Sequence, residues 1–165
     1  FMQVLKDKQA AQDERVKALK YLVHLVADLH QPLHCIERDN DAGGNKVMVT
    51  MPSATEASNL HKVWDFDFVK LNLEKTAPTT YGEKTLKDRA EKLSAEERKK
   101  IEAGSVADWA LEAHAIAKKE VYAEVKSGDT LTEAYSANAK KVADQQLLKA
   151  GIRLAKVLND TLTSE

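Results

Sequence analysis

The 165-residue chain has one cysteine, no apolar run long enough to cross a bilayer, no excess of charge of either sign, and no methionine at its first position. Each lack narrows the possibilities. A lone thiol, Cys35, cannot form an internal disulfide, and one cysteine says little about redox compartment. No membrane-spanning helix is expected, since that needs about 20 consecutive apolar residues. With 25 basic and 26 acidic side chains the net charge is −1, so there is no global basic field. Tight binding of nucleic acid by bulk phosphate neutralisation is therefore not expected, and any phosphate contact has to be local, through a metal or a few Lys and Arg. Phe1-Met2-Gln3-Val4-Leu5 reads as the interior of a helix, with no signal-peptide pattern, and sequence upstream is expected.

The length suits one domain with a sizeable core, and 43% hydrophobic with 31% charged residues is ordinary for a soluble protein. The stretch that stands out is Tyr21 to His34, which holds His24, Asp28, His30 and His34. A helix brings residues four apart onto one face, so His24 and Asp28 should project side by side. Beside and between them lie Leu22, Val23, Leu25 and Val26, residues that are normally buried. Polar groups on a buried helix cost free energy unless hydrogen bonds, paired charge or a metal compensate. One such histidine is usually a hydrogen-bonded core residue. Three histidines and an aspartate within eleven positions argue for a metal instead. Pro32 cannot continue the helical ladder, so the helix is expected to end or bend near Gln31, with His34 on a loop.

Helical spacing through Val16, Leu19, Leu22, Val23 and Val26 predicts a helix opened by Asp13 and Glu14, preceded by a partly exposed helical segment over 1–12. Residues 37–45 are turn-rich, and 46–51 alternate as one arm of a small hairpin. Asp39 and Asp41 hint at a calcium loop, but Thr50 stands where that motif needs a bidentate Glu, and the reading fails. Gly43 and Gly44 suggest that the backbone passes close to something, with Asn45 presented beside it. Ser53-x-x-Glu56 predicts a helix carrying His61 and Asp65, which repeat the spacing of His24 and Asp28. Two such pairs, a further histidine and a Gly-Gly-Asn turn fit zinc-ligand chemistry better than core packing.

A Pro/Thr/Gly-containing connection is expected over 73–82 and helices thereafter. Ser94-x-x-Glu97, Ser105-x-x-Asp108 and Thr130-x-x-Glu133 mark their starts. One long amphipathic helix is expected over 106–126, then a turn at Gly128-Asp129. A last helix over 138–159 has Val142, Leu147, Leu148, Ile152, Leu154, Ala155 and Leu158 as its apolar face. His114 has no Asp partner and is taken as structural, and the Lys-rich runs over 84–100 as a solvated face.

These motifs resemble the zinc-dependent single-strand nucleases of the S1/P1 type, relatives of the bacterial zinc phospholipases C. Leu22 through His34, Asp41-Ala42-Gly43-Gly44-Asn45 and Asn59-Leu60-His61-Lys62-Val63-Trp64-Asp65 occur in the family's order. Asp108-Trp109-Ala110 and Gln146 through Ala155 extend the likeness over nearly the whole chain. Ala27 stands where many relatives have Gly.

The resemblance implies an all-α fold, a multi-helix bundle of the zinc phospholipase C/P1 nuclease type with the short hairpin near 46–51, as a single domain over 1–165 that is N-terminally incomplete relative to the family. It implies three zinc ions: one on His34, His61 and Asp65, and a close pair held in part by His24 and by a bridging, catalytic Asp28. His30 is in the motif but is not a ligand in the family, and is expected to support the ligands from behind or to be structural; Asn45 and Gly44 are expected to contact substrate. Clustered zinc would acidify a water and neutralise the attacked phosphate. The implied activity is hydrolysis of single-stranded DNA and RNA, and of 3′-nucleotides, in a secreted or periplasmic setting. Two alternatives stay open: a zinc phospholipase C, or a remnant that binds zinc without turnover, because the family's upstream ligands are absent from this stretch. A chain lacking those residues would expose apolar surface, so self-association or a companion N-terminal fragment is expected.

Overall fold

The computed structural model describes residues 1–70 and 80–163. Among the described residues, seven α-helices and one small sheet are formed: α1 (Met2–Lys6), α2 (Gln12–Asp28), β1 (Met48–Thr50), β2 (Ala57–Asn59), α3 (Leu60–Lys62), α4 (Thr80–Lys92), α5 (Ala95–Glu102), α6 (Val106–Ile116) and α7 (Glu133–Leu162). The all-α expectation holds. The expected connection over 73–79 lies outside the described residues, and from Thr80 the chain is already helical.

α2 begins where its acidic first turn predicts, with Asp13 and Glu14 facing the positive end of the helix dipole. It ends at Asp28, three residues before Gln31, and His34 sits in a 3₁₀ turn, Pro32–Cys35, rather than on an open loop. The Gln31 side chain caps that turn by accepting from Leu33 N–H at 2.5 Å, and Pro32 takes the first-turn position where its missing donor costs nothing. The helix is also less buried than its composition suggests. Leu22 and Val26 are in the core, whereas Val23 and Leu25 are exposed.

β1 pairs antiparallel with β2, Val49 opposite Ser58, so the 46–51 segment is indeed one arm of a hairpin. The predicted helix after Ser53 is a correction. Residues 57–59 are claimed by the hairpin, and α3 starts only at Leu60, with Asn59 Oδ1 accepting from Lys62 N–H at 2.7 Å as its cap. Both capping boxes at Ser94/Glu97 and Ser105/Asp108 form. α7 is capped by Thr132, not Thr130, because Thr130 is held beside Thr50 in an isolated bridge. The expected 106–126 helix stops at Val121, α6 passing through a wide i→i+5 turn, Ala117–Val121, before the Gly128 turn.

Two apolar cores flank the site. One gathers Leu33, Val49, Leu60, Val63, Trp64 and Phe68 against Ala117 and Val121, and the other packs Leu22 and Val26 on Trp109 and Val157. α7, 30 residues long, runs past both and contacts α1, α2, α4 and α5. Most of its expected face packs inward, Ile152 buried and Val142, Leu154 and Leu158 against the cores, but Leu147 and Ala155 are exposed, while Gln146 and Arg153 are buried. Arg153 lies 5.0 Å over the Trp109 ring and bonds Ile101 O, His30 Nε2 and the Glu112 carboxylate. A desolvated guanidinium is tolerated because so many of its donors are satisfied.

Candidate metal centre

The seam between the two cores brings three of the predicted ligands together. Leu33 and Leu60, both buried in one core, set down the residues that follow them, His34 and His61, on a common side. Their rings stack with centroids 4.9 Å apart and planes 19° from parallel. His34 Nε2 and His61 Nε2 are 3.1 Å apart, and the Asp65 carboxylate approaches them at 3.2 and 3.3 Å. The ligand atoms of all three lie within 4.8 Å of one another. Asp65 is one helical turn from His61, as their spacing predicts.

Every one of these side chains is steadied from behind. His61 Nδ1 donates to Gly43 O at 2.7 Å, and His34 Nδ1 donates to Asp28 Oδ2 at 3.0 Å. Gln31 Nε2 donates to Asp65 Oδ1 at 2.9 Å. With both Nδ1 atoms committed as donors, the protons of the neutral rings sit there and each Nε2 presents a lone pair. Two lone pairs and a carboxylate then converge with no donor hydrogen among them. A tetrahedral zinc with bonds of about 2.0–2.2 Å separates its ligand atoms by roughly 3.3–3.6 Å. The Nε2–Nε2 separation and the distance from each Nε2 to its nearer Asp65 oxygen, Oδ1 for His34 and Oδ2 for His61, lie within a few tenths of an ångström of that, and one ligand atom from each residue stays within 4.8 Å of the others, so the residues fit a zinc ion.

The other predicted residues fall around this triad. His24 is exposed on α2 and lines, with Asp28, His34 and Asp65, a cleft of about 230 Å³ walled by Trp64, Ala143 and Leu147 of the apolar scaffold. Asp28, half-buried, joins the two sets: it shares the helical face of His24 and bonds His34. His24 itself is outside the close triad. Asn45 donates to Ala42 O at 2.8 Å and borders a more open depression with His61 and Asp65. Gly44 O accepts from His61 N–H at 3.3 Å. The paired glycines therefore pass close to His61 and Leu33. A Cβ on Gly43, at φ +62°, would lie 2.7 Å from Leu33 O. Asp41 N–H and side chain close the preceding turn on Arg38, which is a structural role and not a calcium site.

His30 and His114 are structural, as expected. His30, buried, donates from Nδ1 to Val26 O at 2.8 Å and accepts from Arg153 at Nε2. Burial lowers its pKa below 6.5, and the adjacent Arg153 charge adds to that. His114 Nδ1 bonds Cys35 O at 2.9 Å. Two residues escaped the sequence reading: Gln31, which orients Asp65, and Gly43, whose carbonyl fixes His61. A Gln immediately before the turn-forming Pro32 and the first of two adjacent glycines were the available signals.

The structure is an all-α scaffold with an imidazole–imidazole–carboxylate set gathered on one seam, the kind of ligand set that zinc takes. The chain belongs to the S1/P1 nuclease family: the family described as S1/P1 Nuclease matches residues 1–163. Members of that family are nucleases, hydrolases of phosphodiester bonds. The chain is similar to Endonuclease 3 of Arabidopsis thaliana, 32% identical over 157 residues that cover 87% of this chain and 50% of that protein. Similarity to Endonuclease 2 of the same plant is 29% over 177 residues, 95% of this chain and 57% of the relative. A shorter match, 46% over 52 residues, covers 32% of this chain and 17% of Nuclease S1 of Aspergillus oryzae. The chain thus spans about half the length of the plant relatives it matches.

Proposed function

We propose that this chain serves in zinc-dependent hydrolysis of phosphodiester bonds in single-stranded DNA and RNA, and in 3′-nucleotides. The observation that carries the reading is the 3.1 Å approach of His34 Nε2 and His61 Nε2 beside the Asp65 carboxylate, with both Nδ1 atoms bonded to acceptors behind them, an arrangement that a cation stabilises. His34, His61 and Asp65 would hold one zinc, and His24 with Asp28 would contribute to a close pair. Bound there, zinc supplies positive charge against the attacked phosphate and acidifies water toward hydroxide at neutral pH. Asp28 is assigned as the catalytic carboxylate; its bond to His34 Nδ1 also keeps that ring in the ligating tautomer. Gln31 and Gly43 hold Asp65 and His61 in place. Asn45, at the rim of the depression beside His61, and Gly44, whose carbonyl accepts from His61 N–H, are assigned to substrate.

Residues 1–165 are read as one domain. Among the described residues no helix is long and apolar enough to cross a membrane, and a secreted or periplasmic role in nucleic-acid breakdown accompanies this reading through the family. Self-association, or pairing with a companion polypeptide, is supported by one face of α2, where Val16, Leu19 and Val23 are exposed.

The test is zinc content together with release of acid-soluble nucleotides from heat-denatured DNA. Zinc-dependent release that is lost in His61→Ala and in Asp28→Asn is the expected result. A wild-type protein that takes up no zinc, or whose cleavage survives both substitutions, overturns the reading.

A further inference from the structure

Phe66 sits where packing gives no reason for it. Val63, Trp64 and Phe68 around it are between 0% and 2% exposed, yet Phe66 is 54% exposed. The local cause is the wide turn Val63–Asp67, in which Phe68 N–H reaches back five residues to Val63 O. Such a turn fits one residue more than an α-helical turn does, and it recurs at functional sites. Its effect is to keep Trp64 and Phe68 inside while Asp65 and Phe66 are both turned outward.

The outward ring borders an open depression of about 580 Å³ together with Asn45, His61, Lys62 and Asp65. Sites for small molecules run to about 300–1,000 Å³. Lys70 Nζ lies 5.6 Å from the centre of the Phe66 ring, and Lys62 is exposed on the same rim. An apolar aromatic face, two ammonium groups and a metal-ligand triad therefore share one surface. Among the described residues the other exposed aromatics differ: Phe1 and Tyr21 stack on each other at 4.9 Å.

Resting on the zinc phosphodiesterase reading, we infer that Phe66 is a stacking platform for a nucleobase of the strand whose phosphate the His34/His61/Asp65 triad engages. Every base offers a π-face, so stacking on Phe66 is tolerant of sequence. A duplex keeps those faces covered by its own stacking, so the platform favours single strands. Lys62 and Lys70 serve the neighbouring phosphates as point charges.

The experiment measures binding by fluorescence anisotropy of zinc-loaded protein to three labelled probes: a single-stranded oligonucleotide, the same strand carrying abasic sites, and its duplex. Phe66→Ala is expected to weaken the base-bearing strand about fivefold to a hundredfold, the range of one base–aromatic stack. The abasic strand should bind the variant and the wild type equally, zinc content should be unchanged, and Phe66→Trp should keep wild-type affinity. Equal affinity of Phe66→Ala and wild type for the base-bearing strand overturns the inference, as does an equal loss on the abasic strand. If the wild type binds no zinc, the phosphodiesterase reading fails first and this inference with it; zinc binding without Phe66 dependence removes this inference alone.

Discussion

His34 Nε2 and His61 Nε2 face each other at 3.1 Å although 27 residues separate them in sequence. Each ring has its other nitrogen committed, to Asp28 and to Gly43 O respectively. Two lone pairs at that distance repel, and the Asp65 carboxylate at 3.2 and 3.3 Å adds to the repulsion. In a protein without metal a proton on one ring would relieve it; zinc relieves it fully and satisfies all three ligands at once.

Zinc should therefore raise the thermal stability of this chain. Ligand binding to the native state alone adds RT ln(1 + [L]/Kd), about 2.7 kcal/mol at a hundredfold excess over Kd. Melting with and without zinc should show this increment in wild type and its loss in His61→Ala and in Asp65→Asn. An identical zinc increment in either variant would count against the triad.

Gly43→Ala should be far more damaging than its size suggests. Its φ of +62° disfavours any side chain by about 1–2 kcal/mol, and the new Cβ would press on Leu33 O at 2.7 Å. Relief of that clash moves the Gly43 carbonyl away from His61 Nδ1. Chemical denaturation should show a loss of about 2 kcal/mol or more, accompanied by weaker zinc uptake. The comparison is Gly128→Ala, where the backbone is strained but nothing lies within 4 Å.

Arg153 is the next weak point. Its side chain is 5% exposed, and it bonds Glu112, His30 and Ile101 O. Removal of one partner from a buried charged set costs about 3–5 kcal/mol. Arg153→Ala should fall in that range by urea denaturation, and a cost below about 1 kcal/mol would show the network to be dispensable.

Glu112 should govern part of the acid limb of stability. Burial pushes its pKa up, but hydrogen bonds and charge from Lys149 and Arg153 outweigh this and hold it below its ordinary 4.5. A carboxylate depressed on folding contributes stability that is present above 4.5 and lost as pH falls through the lower, folded value. Glu112→Gln should thus be less stable at neutral pH and show a flatter decline below pH 4.5. A decline as steep as that of wild type would refute this assignment.

The exposed apolar face of α2 predicts association. Light scattering should give a mass above that of one 18.3 kDa chain, or a second polypeptide should copurify. Val16→Lys and Val23→Lys, seven residues apart on that face, should return a monomer. A monodisperse wild-type monomer with no companion would overturn the expectation.

Much of the site is legible because helix geometry is local. His61/Asp65 meet at four-residue spacing, His24/Asp28 share a face of α2, and the Ser94/Glu97 and Ser105/Asp108 boxes close, since each relation needs only a few residues. Where distant partners compete, local reading fails. Ser53-x-x-Glu56 has the spacing of a cap, but pairing of 48–50 with 57–59 takes the residues that would have followed it. Leu147 and Ala155 read as core and are exposed, because the rotation of α7 is set by what packs on it, and the Arg153 network turns Gln146 and Arg153 inward. The sequence by itself determined the ligand types, their pairing along helices and the all-α class. Only the tertiary structure decided that His34 closes on His61, that Gln31 and Gly43 hold the ligands, and that Phe66 faces out beside them. These relations join segments up to 34 residues apart, and no local period encodes the meeting of side chains across a packed seam.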